Sequence, residues 1–375
     1  MGSPKPCCLV IGGAGFIGSH TVDGLLAAGY PVRVLDALRQ PVHPEGKRPS
    51  YLHKEAELMI GDIRDRRILR RALEGVEAVF NFAAYQDYLT DFSTFFDINA
   101  TGTALLYEVI VADSLPIRRV VVASSQSAAG EGLYRDADGK LFAPQGREAE
   151  QLARGVWAIL DSQGRPAQWE PTPETFTQPQ NPYGLSKQTQ EQITLHLGDR
   201  YDIPSVAMRY SIVQGSRQSF SNAYSGACRI FSLCCAFGRS LPIYEDGLQV
   251  RDFVNIHDVV EANLRVLEDD RATGRVFNVG GGRPYSVLEF AAIAAQVFEA
   301  ELPMEPSGRY RYGDTRNIVS DISALRQLGW EPSRSALDSL QEYRRYLEQE
   351  MPRESVLERA EADMARLGVV RSIQS

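Results

Sequence analysis

Tyr183 and Lys187 stand four residues apart in Tyr183-Gly184-Leu185-Ser186-Lys187, directly after Pro182. On a helix that spacing puts both side chains on one face. A phenol ordinarily titrates near ~10, and a neighbouring ammonium favours its ionised form. The pair therefore predicts a phenol that can take up and return a proton at neutral pH. Tyr-x-x-x-Lys is common on solvated helix faces, so the reading needs a partner. Ser124-Ser125-Gln126-Ser127 supplies one, because it ends the apolar run Val120–Ala123. Doubly wound sheets bind ligands at the carboxyl ends of their strands. A hydroxyl there can share a proton with Tyr183 and hold an oxygen of the substrate.

A second constellation lies near the amino end. Gly13-Ala14-Gly15-Phe16-Ile17-Gly18 satisfies G-x-G-x-x-G, and Gly12 adds G-x-x-G-x-x-G. The motif follows the apolar run Cys8-Leu9-Val10-Ile11 and opens a helical pattern. Glycines let backbone approach a pyrophosphate, and the helix start offers unpaired N–H groups and partial positive charge. Asp36 stands 18 residues after Gly18, at the end of Val32-Arg33-Val34-Leu35. A carboxylate there accepts from a ribose 2′-hydroxyl and repels a 2′-phosphate, which predicts NAD rather than NADP. Arg33 and Arg39 are the competing cations. In Gly61-Asp62-Ile63, Asp62 can reach an adenine amino group or cap the helix expected over 64–73. Ala83-Ala84-Tyr85 ends a fourth strand, where small residues let backbone lie against a cofactor.

These groups need a scaffold. Apolar runs at Cys8–Ile11, Val32–Leu35, Ala78–Phe82, Val120–Ala123 and Ser205–Met208 alternate with helical patterns, notably Phe92–Ala112 and Tyr183–Tyr201. That rhythm predicts an α/β fold, a Rossmann-like doubly wound parallel sheet with helices on both faces. We expect an NAD-binding domain over 1–210. A smaller, mainly substrate-binding α/β cap follows over 211–335, with 254–282 returning to the first domain. A helical tail occupies 336–375. Residues 131–180 break the rhythm with a polar, Pro- and Gly-containing stretch, read as a surface insertion or lid. It contains no Cys or His, and His20, His53, His196 and His257 lack ligand spacing, so no metal is expected.

Composition narrows the classes. Forty basic against 48 acidic residues leave a net charge of -8, a poor basis for nucleic-acid binding. The five cysteines, Cys7, Cys8, Cys228, Cys234 and Cys235, form no disulfide framework and point to the cytoplasm. We find no run of the ~18 apolar residues that a bilayer requires. The first residues lack a signal-peptide core, and Pro6 breaks the myristoylation pattern.

Glycine fingerprint, strand-end serines and Tyr-x-x-x-Lys, in this order, resemble the extended short-chain dehydrogenase/reductase family, and within it the NAD-dependent nucleotide-sugar epimerase/dehydratase group. The resemblance covers roughly residues 7–335. Asp246-Gly247-Leu248-Gln249-Val250-Arg251-Asp252-Phe253-Val254 resembles the stretch whose arginine meets a nucleotide diphosphate. Asn278-Val279-Gly280-Gly281-Gly282 is similar to its Asn-Val-Gly-Gly, and Arg311-Tyr312-Gly313-Asp314 to its Arg-x-Gly-Asp. The resemblance implies Ser125, Tyr183 and Lys187 as catalytic residues. It implies a cofactor site of Gly12, Gly15, Phe16, Ile17, Gly18, Asp36, Asp62, Ile63, Ala83, Ala84, Tyr85, Asn99, Ser124, Tyr183, Lys187 and Tyr210. For the substrate, a UDP- or dTDP-linked sugar, it implies Gln86, Ser125, Gln126, Ser127, Asn222, Arg251, Arg311 and Asp314. It also implies a homodimer, with Phe92–Ala112 and Tyr183–Tyr201 as the pairing helices.

In this group Tyr183 would deprotonate the sugar 4-hydroxyl while carbon 4 yields hydride to NAD. Dehydratases place Asp-Glu after the catalytic hydroxyl residue, and decarboxylases use a Glu there. Gln126 and Ser127 occupy those positions, so the resemblance implies an epimerase, an isomerase of the EC 5.1.3 type. Ala84-Tyr85-Gln86-Asp87-Tyr88 and the insertion are similar to the dTDP-L-rhamnose 4-epimerase subgroup. The alternatives are a dehydratase or decarboxylase, a net oxidoreductase, or a noncatalytic NAD-binding protein. Three departures bear on the substrate. Ala129-Gly130 replaces Tyr-Gly, and Arg209-Tyr210-Ser211-Ile212 replaces Arg-Tyr-Phe-Asn. Ser125 and Tyr183 are 58 residues apart, longer than usual by roughly thirty, which the insertion explains.

Overall fold

A computed structural model describes residues 5–87, 89–222, 226–358, 366 and 368–373. Seven strands form one parallel sheet: β1 (Cys7–Ile11), β2 (Val32–Asp36), β3 (Glu57–Ile60), β4 (Val76–Asn81), β5 (Arg119–Ser125), β6 (Ser205–Tyr210) and β7 (Arg275–Val279). Their order is β7-β6-β5-β4-β1-β2-β3. The central strands are apolar on both sides because both sides are covered. Cys8 and Val10 enter one core while Leu9 and Ile11 enter the other. The chain runs outward from β1 to β3, then returns across β1 to lay down β4. A crevice opens where the order reverses, outside the ends of β1 and β4. The glycine turn follows β1 and Ala83-Ala84 follows β4, so both motifs meet there.

The cap has its own core of Phe253, Tyr285, Phe290, Leu340 and Tyr343. It is built on the strands Ile212–Gln214, Val250–Asn255, Pro284–Ser286 and Asn317–Ile318. Leu340 and Tyr343 lie on the helix Ala336–Glu350. The expected helical tail therefore needs correction: this helix is part of the cap core, since its apolar stripe has nowhere else to be buried. Beyond it, Val370–Ser372 is a strand, antiparallel to Arg309–Arg311.

Two further expectations change. The 131–180 insertion is not a bare surface loop. Leu141–Phe142, Leu133–Arg135 and Gln168–Glu170 form a three-stranded antiparallel sheet, and Tyr134 is fully buried. The helix over Phe92–Ala112 contains a π-helical turn, Asp97–Thr101. By length and composition it could cross a membrane, against the reading of the sequence, but half of it is buried in the fold.

Candidate active site

A cleft of about 730 Å3 runs along the carboxyl ends of the strands and under the cap. At one end lies the turn into α1 (Phe16–Ala27), whose amino terminus has no side-chain cap. A Cβ on Gly18 would sit 2.2 Å from the Gly12 carbonyl oxygen, so glycine lets α1 close on the turn. Gly12 has φ of +74°, and its Cβ would meet the Ala83 nitrogen at 2.7 Å. Asp36 accepts from the backbone N–H of Ala14 at 2.9 Å and of Leu38 at 2.8 Å. It thus ties the turn to the end of β2. The uncapped N–H groups, side-chain-free backbone and carboxylate suit a dinucleotide. Neither competing cation is poised for a 2′-phosphate. Arg33 pairs with Glu57 at 2.8 Å, and Arg39 with Asp62 at 2.9 Å.

Asp62 is not a helix cap. Asp65 caps Arg66–Ala72 instead, because the chain turns once more before the helix begins. Asp62 is held by Arg64, whose hydrogen bonds lower its pKa.

The chemical end is set by α2 (Pro182–Arg200), capped by the Asn181 side chain. Tyr183 is buried and hydrogen-bonded to Ser125. Ser125 Oγ also accepts from the Ser127 N–H at 3.2 Å. Lys187 Nζ lies 5.9 Å from the centre of the Tyr183 ring. It donates to the Ala123 carbonyl at 2.7 Å and to Gln190 Oε1 at 3.0 Å. Lys187 therefore fastens α2 to the end of β5. The expected charge effect is outweighed. Burial pushes the phenol up to about 12 and the Lys187 ammonium down to about 7. In the bare site burial exceeds the help a partly neutral amine can give.

Of the expected site residues, Gly12, Gly15, Phe16, Ile17, Gly18, Asp36, Asp62, Ile63, Ala83, Ala84, Tyr85, Gln86, Ser124, Ser125, Gln126, Ser127, Tyr183, Lys187, Tyr210, Asn222, Arg251, Arg311 and Asp314 all line this cleft. Asn99 does not. It is fully buried on the π-turn, where it accepts from the Tyr85 N–H at 2.8 Å and donates to Tyr85 O and Ser186 Oγ. Asn99 therefore supports the wall rather than forming it. Ser124 turns its hydroxyl to Glu191, and Tyr210 to Asn263 at 2.7 Å. Arg251 spends its guanidinium on the carbonyls of Arg316 and Thr315, both at 2.9 Å. Arg311 lies over the Tyr244 ring at 4.9 Å. Tyr88 lies outside the described residues.

The sequence reading missed several lining residues: His43, Gln218, Tyr244 and Gln249. Tyr244 stands two residues before the Asp246–Val254 motif and Gln249 within it, a signal that could have found them. Nothing in spacing marks His43, which reaches Asp36 at 3.9 Å.

Residues 8–280 match the NAD dependent epimerase/dehydratase family. The dTDP-L-rhamnose 4-epimerase of Burkholderia thailandensis is 31% identical over 353 residues, covering 92% of this chain and 96% of that protein. The solved UDP-glucose 4-epimerase of Thermotoga maritima, with UDP-glucose, superposes with a TM-score of 0.73 at 27% identity, covering 92% of this chain and 100% of its own. That of Thermus thermophilus, complexed with NAD, gives 0.69 at 26%, covering 91% and 99%.

Proposed function

This chain belongs to the NAD dependent epimerase/dehydratase family, and from that premise we propose that it is an NAD-dependent 4-epimerase of a neutral nucleotide-linked sugar. The observation that carries the reading is the buried Ser125–Tyr183 hydrogen bond in a cleft shared with the glycine turn. Gln126 and Ser127 follow it where a dehydratase needs an acid and a base.

Bound NAD would supply a reversible hydride acceptor for carbon 4. The chain's own residues do the rest. As the phenolate, which the positive charge of oxidised NAD would favour, Tyr183 takes the 4-hydroxyl proton and later returns it, and Ser125 holds the same oxygen. Lys187 fixes α2 so that the phenol meets that oxygen. Asp36, three strand positions and about 14 Å across the sheet from Ser125, and the α1 terminus would hold the ribose and diphosphate of the cofactor.

Charge argues for a neutral sugar. Among the described lining residues the basic side chains are Arg39, His43, Lys187, Arg251 and Arg311. Arg39 and His43 serve the Asp36 end, Lys187 is bonded to Ala123, and the last two belong to the cap. Beside Tyr85 and Gln86 stands Asp87, which would repel a uronate. The Burkholderia relative makes dTDP-L-rhamnose and its C4 epimer the first pair to test, with UDP-hexoses next. The five cysteines are free thiols, which supports a cytoplasmic setting. We also infer a homodimer, paired through the helices over Phe92–Ala112 and Tyr183–Tyr201.

Purified protein with catalytic NAD should be incubated with dTDP- and UDP-sugars, with the products read by NMR. We expect a C4 diastereomer with no net NADH, and UDP-glucuronate left untouched. Tyr183→Phe should lose at least about a hundredfold in kcat, the lower range for a general acid–base. Stoichiometric NADH, or a dehydrated or decarboxylated product, would overturn the epimerase reading.

A further inference from the structure

The buried charges of the 131–180 segment reach into the far wall of the cleft. Gly313, Asp314 and Thr315 line that wall, and residues 312–316 have neither helix nor strand. Their backbone is held by side chains instead. Arg147 donates to the Asp314 carbonyl at 2.9 Å and to Glu245 at 2.7 Å. Glu245 also takes Arg316 at 2.9 Å. Glu131 Oε1 accepts the backbone N–H groups of Arg316 and Asn317, at 2.6 and 3.0 Å, and the Tyr134 hydroxyl at 2.9 Å. The Arg147 and Glu245 side chains are each 2% exposed. From the other side Arg251 grips the Thr315 and Arg316 carbonyls. The loop is thus pinned between insertion and cap.

We propose that the 131–180 insertion is the frame of the nucleotide pocket, with Arg147 and Glu131 as positioning residues for the loop that carries Asp314. This rests on the reading that Asp314 faces the nucleotide of the substrate. Buried polar groups must be paired to persist. Four side chains gripping one short loop, Arg147, Glu245, Glu131 and Arg251, therefore impose a fixed geometry, which a loose surface strap would not supply.

Arg147→Lys tests it. The ammonium can still meet Glu245 but cannot also reach the Asp314 carbonyl, because Arg has a fork and Lys a point. We expect KM for the nucleotide sugar, and Kd for UDP or dTDP alone by calorimetry, to rise about tenfold, the loss of one charge-assisted hydrogen bond. The kcat and bound-NAD ratio should stay within about twofold, since the hydride and proton groups are not touched. Glu131→Gln keeps an acceptor oxygen and should bind nearly as wild type, whereas Glu131→Leu should match Arg147→Lys. Asp314→Ala is the reference. If it weakens nucleotide binding while folded Arg147→Lys does not, the framing role is overturned. If Asp314→Ala changes nothing, the placement of the nucleotide fails instead. Should Arg147→Lys not fold, Tyr134→Phe loosens Glu131 alone and carries the same test. An unchanged nucleotide Kd in that variant would also overturn the proposal.

Discussion

At Tyr183 and Lys187 burial works against both charged forms. The phenol is raised to about 12 and the ammonium lowered to about 7, so the two side chains face each other mostly neutral above pH 7. This has a consequence for stability as well as for catalysis. An unfolded lysine keeps its proton to about pH 10.4. Between about pH 7 and that value the unfolded chain binds the extra proton, so folding gains stability as pH rises through this window. Below about pH 7 the cost of the buried ammonium is paid in full. Lys187→Met removes the titration along with the tether to Ala123. We therefore expect the stability of NAD-free wild type, relative to Lys187→Met, to climb between pH 7 and 10 by at most about 1.4 kcal/mol per unit. Urea melts at several pH values measure it. Parallel curves for the two proteins would mean that Lys187 is charged in the fold, and that the phenol receives its electrostatic help after all.

Elements explain which of these groups could be foreseen. The glycine turn, the apolar strands and α2 were legible because each is coded locally, by glycine spacing, continuous apolar runs or a helix cap. The expected positions of Ser125 and Tyr183 followed from those elements alone. The 131–180 segment was not legible. Its order comes from charged residues such as Glu131 and Arg147 buried against partners some 100–185 residues away, and sequence patterning reads such residues as solvated. Nor was the role of Asn99, because a π-turn is one extra residue hidden in a helical pattern, often where function needs a side chain re-aimed. That turn points the Asn99 amide at Tyr85 and Ser186 rather than at the cleft. Asn99→Leu keeps the volume and strands the Tyr85 N–H. We expect a loss of about 1–3 kcal/mol in denaturant melts, and a lower NAD-to-protein ratio after gel filtration because the Ala83–Tyr85 wall slackens. Normal stability with full NAD would show that the wall holds without the π-turn.

On the scale of the whole molecule, two adjacent helices leave apolar side chains exposed. The helix over Phe92–Ala112 is apolar enough to suit a membrane, yet only half of it is buried. Phe92 and Val111 are exposed, and so is Leu185 on the adjacent α2. These two helices pack side by side, and the second is about 28 Å long at 1.5 Å per residue. Two such helices from each of two copies would form a four-helix interface, enough to approach the roughly 1,600 Å2 of a stable association. Since α2 carries Tyr183 and Lys187, a partner on its outer face would also brace the catalytic pair. We therefore expect the wild type to sediment at twice the chain mass at micromolar concentration. Val111→Glu with Leu185→Glu places charge in that apolar contact and should yield monomers. Those monomers should keep their secondary structure by circular dichroism while losing most of kcat, with little change in nucleotide Kd. A monomeric wild type would rule out the interface, and fully active monomers would show that α2 is held rigid from within its own chain.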